Sequence, residues 1–177
     1  MSPSLVRKSM TLLSALGALA LPTRADELAV GAPAPRIEAT TDSGETVDFA
    51  DLYVDGYTLV FFYPRAGTPG CTKQACSLRD AYERLTREGV RVVGVSTDDV
   101  EAQQRFKQKH SLPFTLIADT DKRVLEAFGV PSRGSFASRQ AYLIRDGVVV
   151  WRDTSASTAE QAADVLAAIA ELESPGD

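Results

Sequence analysis

Cys71 and Cys76 are the two cysteines of this chain, and they stand five residues apart directly after Pro64-Arg65-Ala66-Gly67-Thr68-Pro69-Gly70. The thiolate, not the thiol, is the nucleophile, and it is favoured at helix N-termini and beside cations. Gly70-Cys71-Thr72 falls where an apolar run ends and an amphipathic one begins. The unpaired N–H groups of a first helical turn there would favour negative charge on the Cys71 sulfur. Thr68 can cap that turn or offer its hydroxyl to an incoming oxygen. Pro69 and Gly70 let the backbone approach closely without side-chain bulk. Cys76 is near enough in sequence to capture whatever Cys71 becomes. No histidine base is needed if the sulfur is already ionised, and the one histidine, His110, reads as a plain surface residue at a polar helix end.

The elements that must hold this segment can be read from periodicity. Tyr57–Tyr63 is a near-continuous apolar, aromatic-rich run, which predicts a central strand buried on both faces. After the Thr/Pro/Gly turn, Leu78, Ala81, Tyr82 and Leu85 recur at helical spacing, and Gly89 stops that single helix. Val90–Val95 predicts a second buried strand. Asp98 or Asp99 caps a helix through about Lys109, Thr115–Ala118 is a strand, and Lys122–Phe128 is a short helix ending at Gly129. Upstream, Thr41-Asp42-Ser43-Gly44 turns between short strands near Arg36–Thr40 and Thr46–Asp48. Downstream, Asp146-Gly147 joins Ala141–Arg145 to Val148–Arg152 as a hairpin. Thr158-Ala159-Glu160-Gln161 reads as a capping box before a last helix with an apolar stripe at Val165, Ile169 and Leu172. Pro131–Ser138 predicts nothing regular. Strands that alternate with helices and close with a hairpin and a helix define an α/β fold, a central mixed sheet flanked by helices.

The 177 residues suffice for one domain with a full core. The first 25 are expected to lie outside it. Arg7 and Lys8 precede the twelve-residue apolar run Met10–Leu21, and Thr23-Arg24-Ala25 offers small residues where a signal peptidase cuts. The run is too short to span a bilayer and matches a secretory leader. Residues 1–25 are therefore expected to be a cleaved signal peptide, and 26–177 an exported, periplasmic domain. The alternatives are a lumenal destination or a tether formed by an uncleaved signal. Removing residues 1–25 leaves 16 basic and 24 acidic residues, which moves the formal charge from −5 to −8. An acidic domain without a basic stripe argues against nucleic acid and anionic lipid surfaces as partners.

The residues around Cys71 resemble a known family. Pro64-x-x-x-Thr68-x-x-Cys71 is similar to the active-site motif of peroxiredoxins. The longer string Phe61-Phe62-Tyr63-Pro64…Thr68-Pro69-Gly70-Cys71-Thr72…Gln74-Ala75-Cys76…Leu78-Arg79-Asp80 resembles the bacterioferritin comigratory protein/PrxQ subfamily. Gly31-x-x-Ala34-Pro35 resembles that family's opening, and Val93–Asp98 its second core strand. Arg139, two residues before Ala141-Tyr142-Leu143-Ile144, falls where the family keeps a catalytic arginine. The chain departs from the pattern at Ala141, usually Thr or Ser, and at Arg145, usually Asp.

The resemblance implies a thioredoxin-like fold and thiol-dependent reduction of hydrogen peroxide and organic hydroperoxides, an antioxidant activity needing no metal or other cofactor. Cys71 would be the peroxidatic nucleophile. Thr68, Gly70 and Arg139 would surround and polarise the peroxide, and Pro64 would shield the nascent sulfenic acid. Cys76 would resolve it as a Cys71–Cys76 disulfide, recycled by thioredoxin or a thioredoxin-like donor. A monomer is implied. If both cysteines lie in one helix, their Cα atoms are about 8.6 Å apart. A disulfide tolerates no more than about 7 Å, so resolution requires the helix to unwind.

Other readings of the same residues stay open. A plain structural disulfide closes too short a loop to stabilise much and leaves the Pro/Thr/Gly setting unexplained. A thiol–disulfide oxidoreductase would more usually carry Cys-x-x-Cys at the helix start. Two cysteines and one distant histidine make an incomplete zinc or copper site. A binding module with a dead site would keep the fold without the chemistry.

Overall fold

A computed structural model describes residues 28–174. The expected signal segment, residues 1–25, lies outside the described residues. Two short strands, β1 (Glu38–Thr40) and β2 (Thr46–Asp48), pair antiparallel ahead of a five-stranded sheet. Its centre, β3 (Tyr57–Phe62), pairs in parallel with β4 (Val90–Ser96), which pairs in parallel with β5 (Thr115–Ala118). On the other side β8 (Gln140–Arg145) and β9 (Val148–Asp153) run antiparallel.

Every residue of β3 is buried, and its side chains alternate between two cores. Tyr57, Leu59 and Phe61, with Tyr63 beyond the strand end, join the core that also holds Cys71, Leu78, Leu85, Phe106, Val165 and Ile169. Val60 and Phe62 point to the opposite core with Phe49, Val124, Phe128 and Tyr142. The first core is roofed by α2 (Pro69–Asp80), α3 (Tyr82–Arg87), α4 (Val100–His110) and α6 (Gln161–Glu173). The second is covered by α1 (Phe49–Leu52) and α5 (Arg123–Ala127). Burial of each such aliphatic or aromatic side chain contributes about 1.5–3 kcal/mol. Packing at the centre is close. Phe61 lies opposite Gly94 in the register, and a Cβ on Gly94 would come within 2.7 Å of the Phe61 ring.

The sheet and its order of elements follow the sequence expectations, with four differences. The single helix expected after the turn is broken at Ala81, whose φ of −96° and ψ of 5° leave the helical region. The apolar stripe survives the break because Leu78 and Leu85 still enter the same core. A short α1, capped by the Asp48 carboxylate on the Ala50 N–H at 2.8 Å, carries no periodicity to reveal it. Pro131–Ser138 folds as a tight hairpin of β6 (Ser132–Arg133) and β7 (Phe136–Ala137), closed by Ser138 N–H on the Pro131 carbonyl at 2.8 Å.

The fourth difference concerns the capping box. Glu160, not Thr158, is the residue before α6, and it makes no side-chain cap. Ser157 Oγ closes the turn ahead of the helix instead, accepting from the Ala159 and Glu160 N–H groups at 3.2 and 3.0 Å. Thr158 and Gln161 are thereby released to face α2.

The hairpin turns behave as read. Asp146 and Gly147 take φ of 51° and 73°, the left-handed pair a two-residue turn needs. Asp42 in the first turn is buried, with its carboxylate bonded to the Leu116 N–H at 2.9 Å and paired with Lys107 at 2.9 Å. Among the described residues no helix is long and apolar enough to cross a membrane.

Candidate active site

Cys71 is the third residue of α2, the helix that follows the central strand across the loop 63–68, and is 1% exposed. Pro69 opens the helix, where a missing N–H costs nothing. By helix geometry the N–H groups of Gly70 and Cys71 have no partner within the helix, while Thr72 N–H already reaches the Thr68 carbonyl at 2.8 Å. Thr68 occupies the N-cap position but makes no side-chain cap. Its hydroxyl donates to the Arg65 carbonyl at 3.0 Å, which tightens the loop and leaves the oxygen lone pairs unspent by that bond.

Arg139 follows β7 and immediately precedes β8. Its Nη2 donates to Cys71 Sγ at 3.4 Å, and its Nη1 donates to Gln74 Oε1. A cation is thus placed against the sulfur at the positive end of a helix. Gly70 lies against it: a Cβ there would stand 3.4 Å from Arg139 Nη2 and 3.7 Å from the Thr158 methyl.

A buried polar network sets the loop in front of Cys71. Tyr63 Oη donates to Gln103 Oε1 at 2.5 Å. Gln103 Nε2 donates to Ser96 Oγ at 2.8 Å and to the Ile117 carbonyl at 2.9 Å. Ser96 Oγ donates to Asp98 Oδ2, and that carboxylate also accepts from the Ala66 N–H, both at 2.7 Å. Complete burial pushes the Tyr63 phenol far above its ordinary range, so it stays neutral and serves as a donor. The loop 64–68 is therefore hung from β4 and α4 through Asp98. Pro64 is half-buried in that loop and lines a hollow of about 430 Å³ with Arg65, Thr97, Ser135 and Phe136; neither Cys71 nor Arg139 borders it.

Cys76 lies in the same unbroken helix as Cys71, is half-buried, and both thiols are free. The structure therefore brings Arg139 to the Cys71 sulfur beside Gly70, keeps Thr68 at the N-cap with its hydroxyl on Arg65, and leaves Cys76 on the helix with no bond to Cys71. His110 ends α4 with its ring edge-on to Phe106 at 5.3 Å, and burial, with Lys109 and Arg79 nearby, lowers its pKa. Arg79 is spent on Asp80 and on the His110 carbonyl. Arg145 sits at the other end of β8 from Arg139, stacked on Tyr57 and paired with Glu173 at 3.1 Å, so its departure from the family pattern serves the end of α6. Among the described residues no group of three or more His, Cys, Asp or Glu side chains is placed to hold a metal.

Sequence reasoning missed the amides. Gln74 is wholly buried between Arg139 and Gln161, donating to Gln161 Oε1 at 2.6 Å. Its place three residues after Cys71, on the same helix face, was the available signal.

The fold and this cysteine–arginine pair define a thioredoxin-like peroxiredoxin scaffold. The AhpC/TSA family model matches residues 30–152. Peroxiredoxin Bcp of Escherichia coli is 45% identical over 112 residues, 63% of this chain and 71% of that protein. Peroxiredoxin Q, chloroplastic, of Suaeda salsa is 48% identical over 94 residues, 51% of this chain, and the match spans only 44% of that longer protein. Among solved structures, peroxidoxin BcpB of Mycobacterium tuberculosis superimposes with a TM-score of 0.78 at 30% identity, over 84% of this chain and all of that one. The chain belongs to the AhpC/TSA family and is a peroxiredoxin of the Bcp/Q type.

Proposed function

We propose that this protein is a two-cysteine thiol peroxidase that reduces hydrogen peroxide and organic hydroperoxides at Cys71. The observation that carries the reading is the Arg139 guanidinium 3.4 Å from Cys71 Sγ in the first turn of α2. Cation and helix N-terminus both stabilise negative charge on the sulfur. The thiolate's electron pair attacks the terminal peroxide oxygen, forming S–O as O–O breaks. The leaving oxygen takes a proton and departs as water or alcohol; sulfur is oxidised by two electrons and the peroxide reduced by two. Arg139 and the Gly70 and Cys71 N–H groups supply donors for the charge that builds on oxygen, while the Thr68 hydroxyl, its hydrogen given to the Arg65 carbonyl, accepts from the peroxide O–H. Pro64 screens the sulfenic acid from the loop side.

Cys76 then attacks the sulfenic sulfur, forming the disulfide and releasing water. Both cysteines lie within α2, Pro69–Asp80. Helical spacing of about 8.6 Å exceeds what a disulfide spans, so the first turns of α2 unwind for this step. A thioredoxin-like dithiol returns the pair to thiols by two exchanges. The acidic residues 26–177 act as an exported, periplasmic monomer after loss of residues 1–25.

Intact mass of the reduced protein after one equivalent of hydrogen peroxide tests this, beside Cys71→Ser and Cys76→Ser. Rapid loss of two hydrogens in the wild type is expected, with a species one oxygen heavier trapped only in Cys76→Ser. Slow, equal oxidation of both variants would overturn the reading.

A further inference from the structure

The amide of Gln161 is buried, at 1% exposure, and it is half-satisfied. Its Oε1 accepts from Gln74 Nε2 at 2.6 Å, while its own Nε2 has no hydrogen-bond partner. The arrangement has a forced polarity. Arg139 carries only donors, so Gln74 must turn Oε1 toward it and Nε2 toward Gln161. Gln161 must then turn Oε1 toward Gln74. The reversed amide would set donor against donor, and the orphaned Nε2 is the consequence. An unpaired buried donor is costly, and it persists here because the rest of the row requires it.

The row Gln161–Gln74–Arg139–Cys71 links the start of α6 to the sulfur. We propose that Gln161 is a positioning residue of the peroxide site, aiming Arg139 through Gln74, and that the same amide pair restrains α2 against the unwinding that joins Cys71 to Cys76. This rests on the peroxidase reading above and extends it. One residue outside the motif then governs two steps in opposite senses. It speeds attack by fixing the guanidinium, and it slows resolution by holding Gln74, which lies between the two cysteines. It thereby sets how the sulfenic acid divides between the disulfide and further oxidation, in which a second peroxide adds one oxygen to the sulfur and leaves as water or alcohol.

Ser77 supplies an internal control. Its Oγ donates to the Ala159 carbonyl at 2.8 Å, tying α2 to the segment before α6 without touching Arg139 or Gln74.

Rapid-quench mass analysis resolves the two steps, oxidation of Cys71 and loss of water to the disulfide. In Gln161→Met, of similar size, oxidation is expected to slow by about tenfold and disulfide formation to accelerate several-fold. Gln161→Glu keeps an acceptor at the same reach and is expected to restore oxidation to within about threefold of wild type. Ser77→Ala is expected to accelerate disulfide formation alone. Should Gln161→Met not fold, Gln161→Ser, too short to reach Gln74, carries the same expectation. Oxidation by the Gln161→Met protein within about twofold of wild type would overturn the proposal. So would equal slowing in Ser77→Ala, which would reduce the effect to general loosening of α2. If wild-type Cys71 itself is not rapidly oxidised, the peroxidase reading fails and the inference with it. A normal wild type with unaltered Gln161 variants removes the positioning role alone.

Discussion

Arg139 Nη2 lies 3.4 Å from Cys71 Sγ across 68 residues of chain. The contact exists because β8 lies antiparallel beside β3, Gln140 opposite Phe62, so the residue entering β8 stands next to the loop and helix leaving β3. Sheet register, more than any local feature, delivers the cation to the thiol. Arg139→Lys is expected to lower the second-order rate of Cys71 oxidation by about 100-fold, because a lysine cannot reproduce the two-pronged contact to sulfur and Gln74. Competition kinetics against a second peroxidase measures this; a rate within about threefold of wild type would contradict it.

Gly70 separates activity from stability. Its backbone is ordinary helix, so Gly70→Ala is expected to hold or raise stability by about 0.5–1 kcal/mol through propensity. The added Cβ meets Arg139 Nη2 at 3.4 Å, the close edge of ordinary contact, so the guanidinium shifts on the sulfur by a few tenths of an ångström at most. A modestly slower peroxide reaction with an undiminished urea midpoint is the expected pair of results.

Cys76→Ser should leave the first step unchanged and stall there, with the sulfenic acid advancing to sulfinic acid under excess peroxide. Amide exchange across 71–83 provides the structural counterpart. Protection is expected in the reduced protein and lost in the disulfide form, and equal protection in both would remove the need for unwinding.

Gly94→Ala tests the core under the site. The new methyl would stand 2.7 Å from Phe61 and 2.8 Å from Leu116, neither free to retreat in a filled interior. A loss of about 1–3 kcal/mol by denaturant titration is expected.

His110 gives a sign for pH. Its folded-state pKa is lowered, by burial first and then by Lys109 and Arg79, so the unfolded chain binds the proton more readily. Stability should therefore decline as pH falls through the ordinary histidine value of about 6.5 and below. His110→Gln should flatten urea stability over that window; an unchanged slope would show that other groups set it.

Much of the architecture was legible because its signals are local. The apolar run at Tyr57–Phe62, the Asp-Gly turn at 146–147 and the thiol after Thr-Pro-Gly are each decided by neighbours along the chain, and periodicity reports them. The break at Ala81 and the hairpin at 132–137 escaped because a stripe records which face is buried, not whether the helix is continuous. Thr158-x-x-Gln161 misled for a related reason. The same residue types serve a cap or a tertiary contact, and only the approach of α2 decides that Gln161 turns inward to Gln74.

By itself the sequence determined the reactive thiol, the second thiol on the same helix and the order of strands and helices around them. Tertiary structure decided which distant groups meet the sulfur. Arg139, Gln74 and Gln161 carry no shared local pattern, and their row of hydrogen bonds exists only once the register of β8 against β3 and the packing of α6 on α2 bring their short-range donors and acceptors within reach.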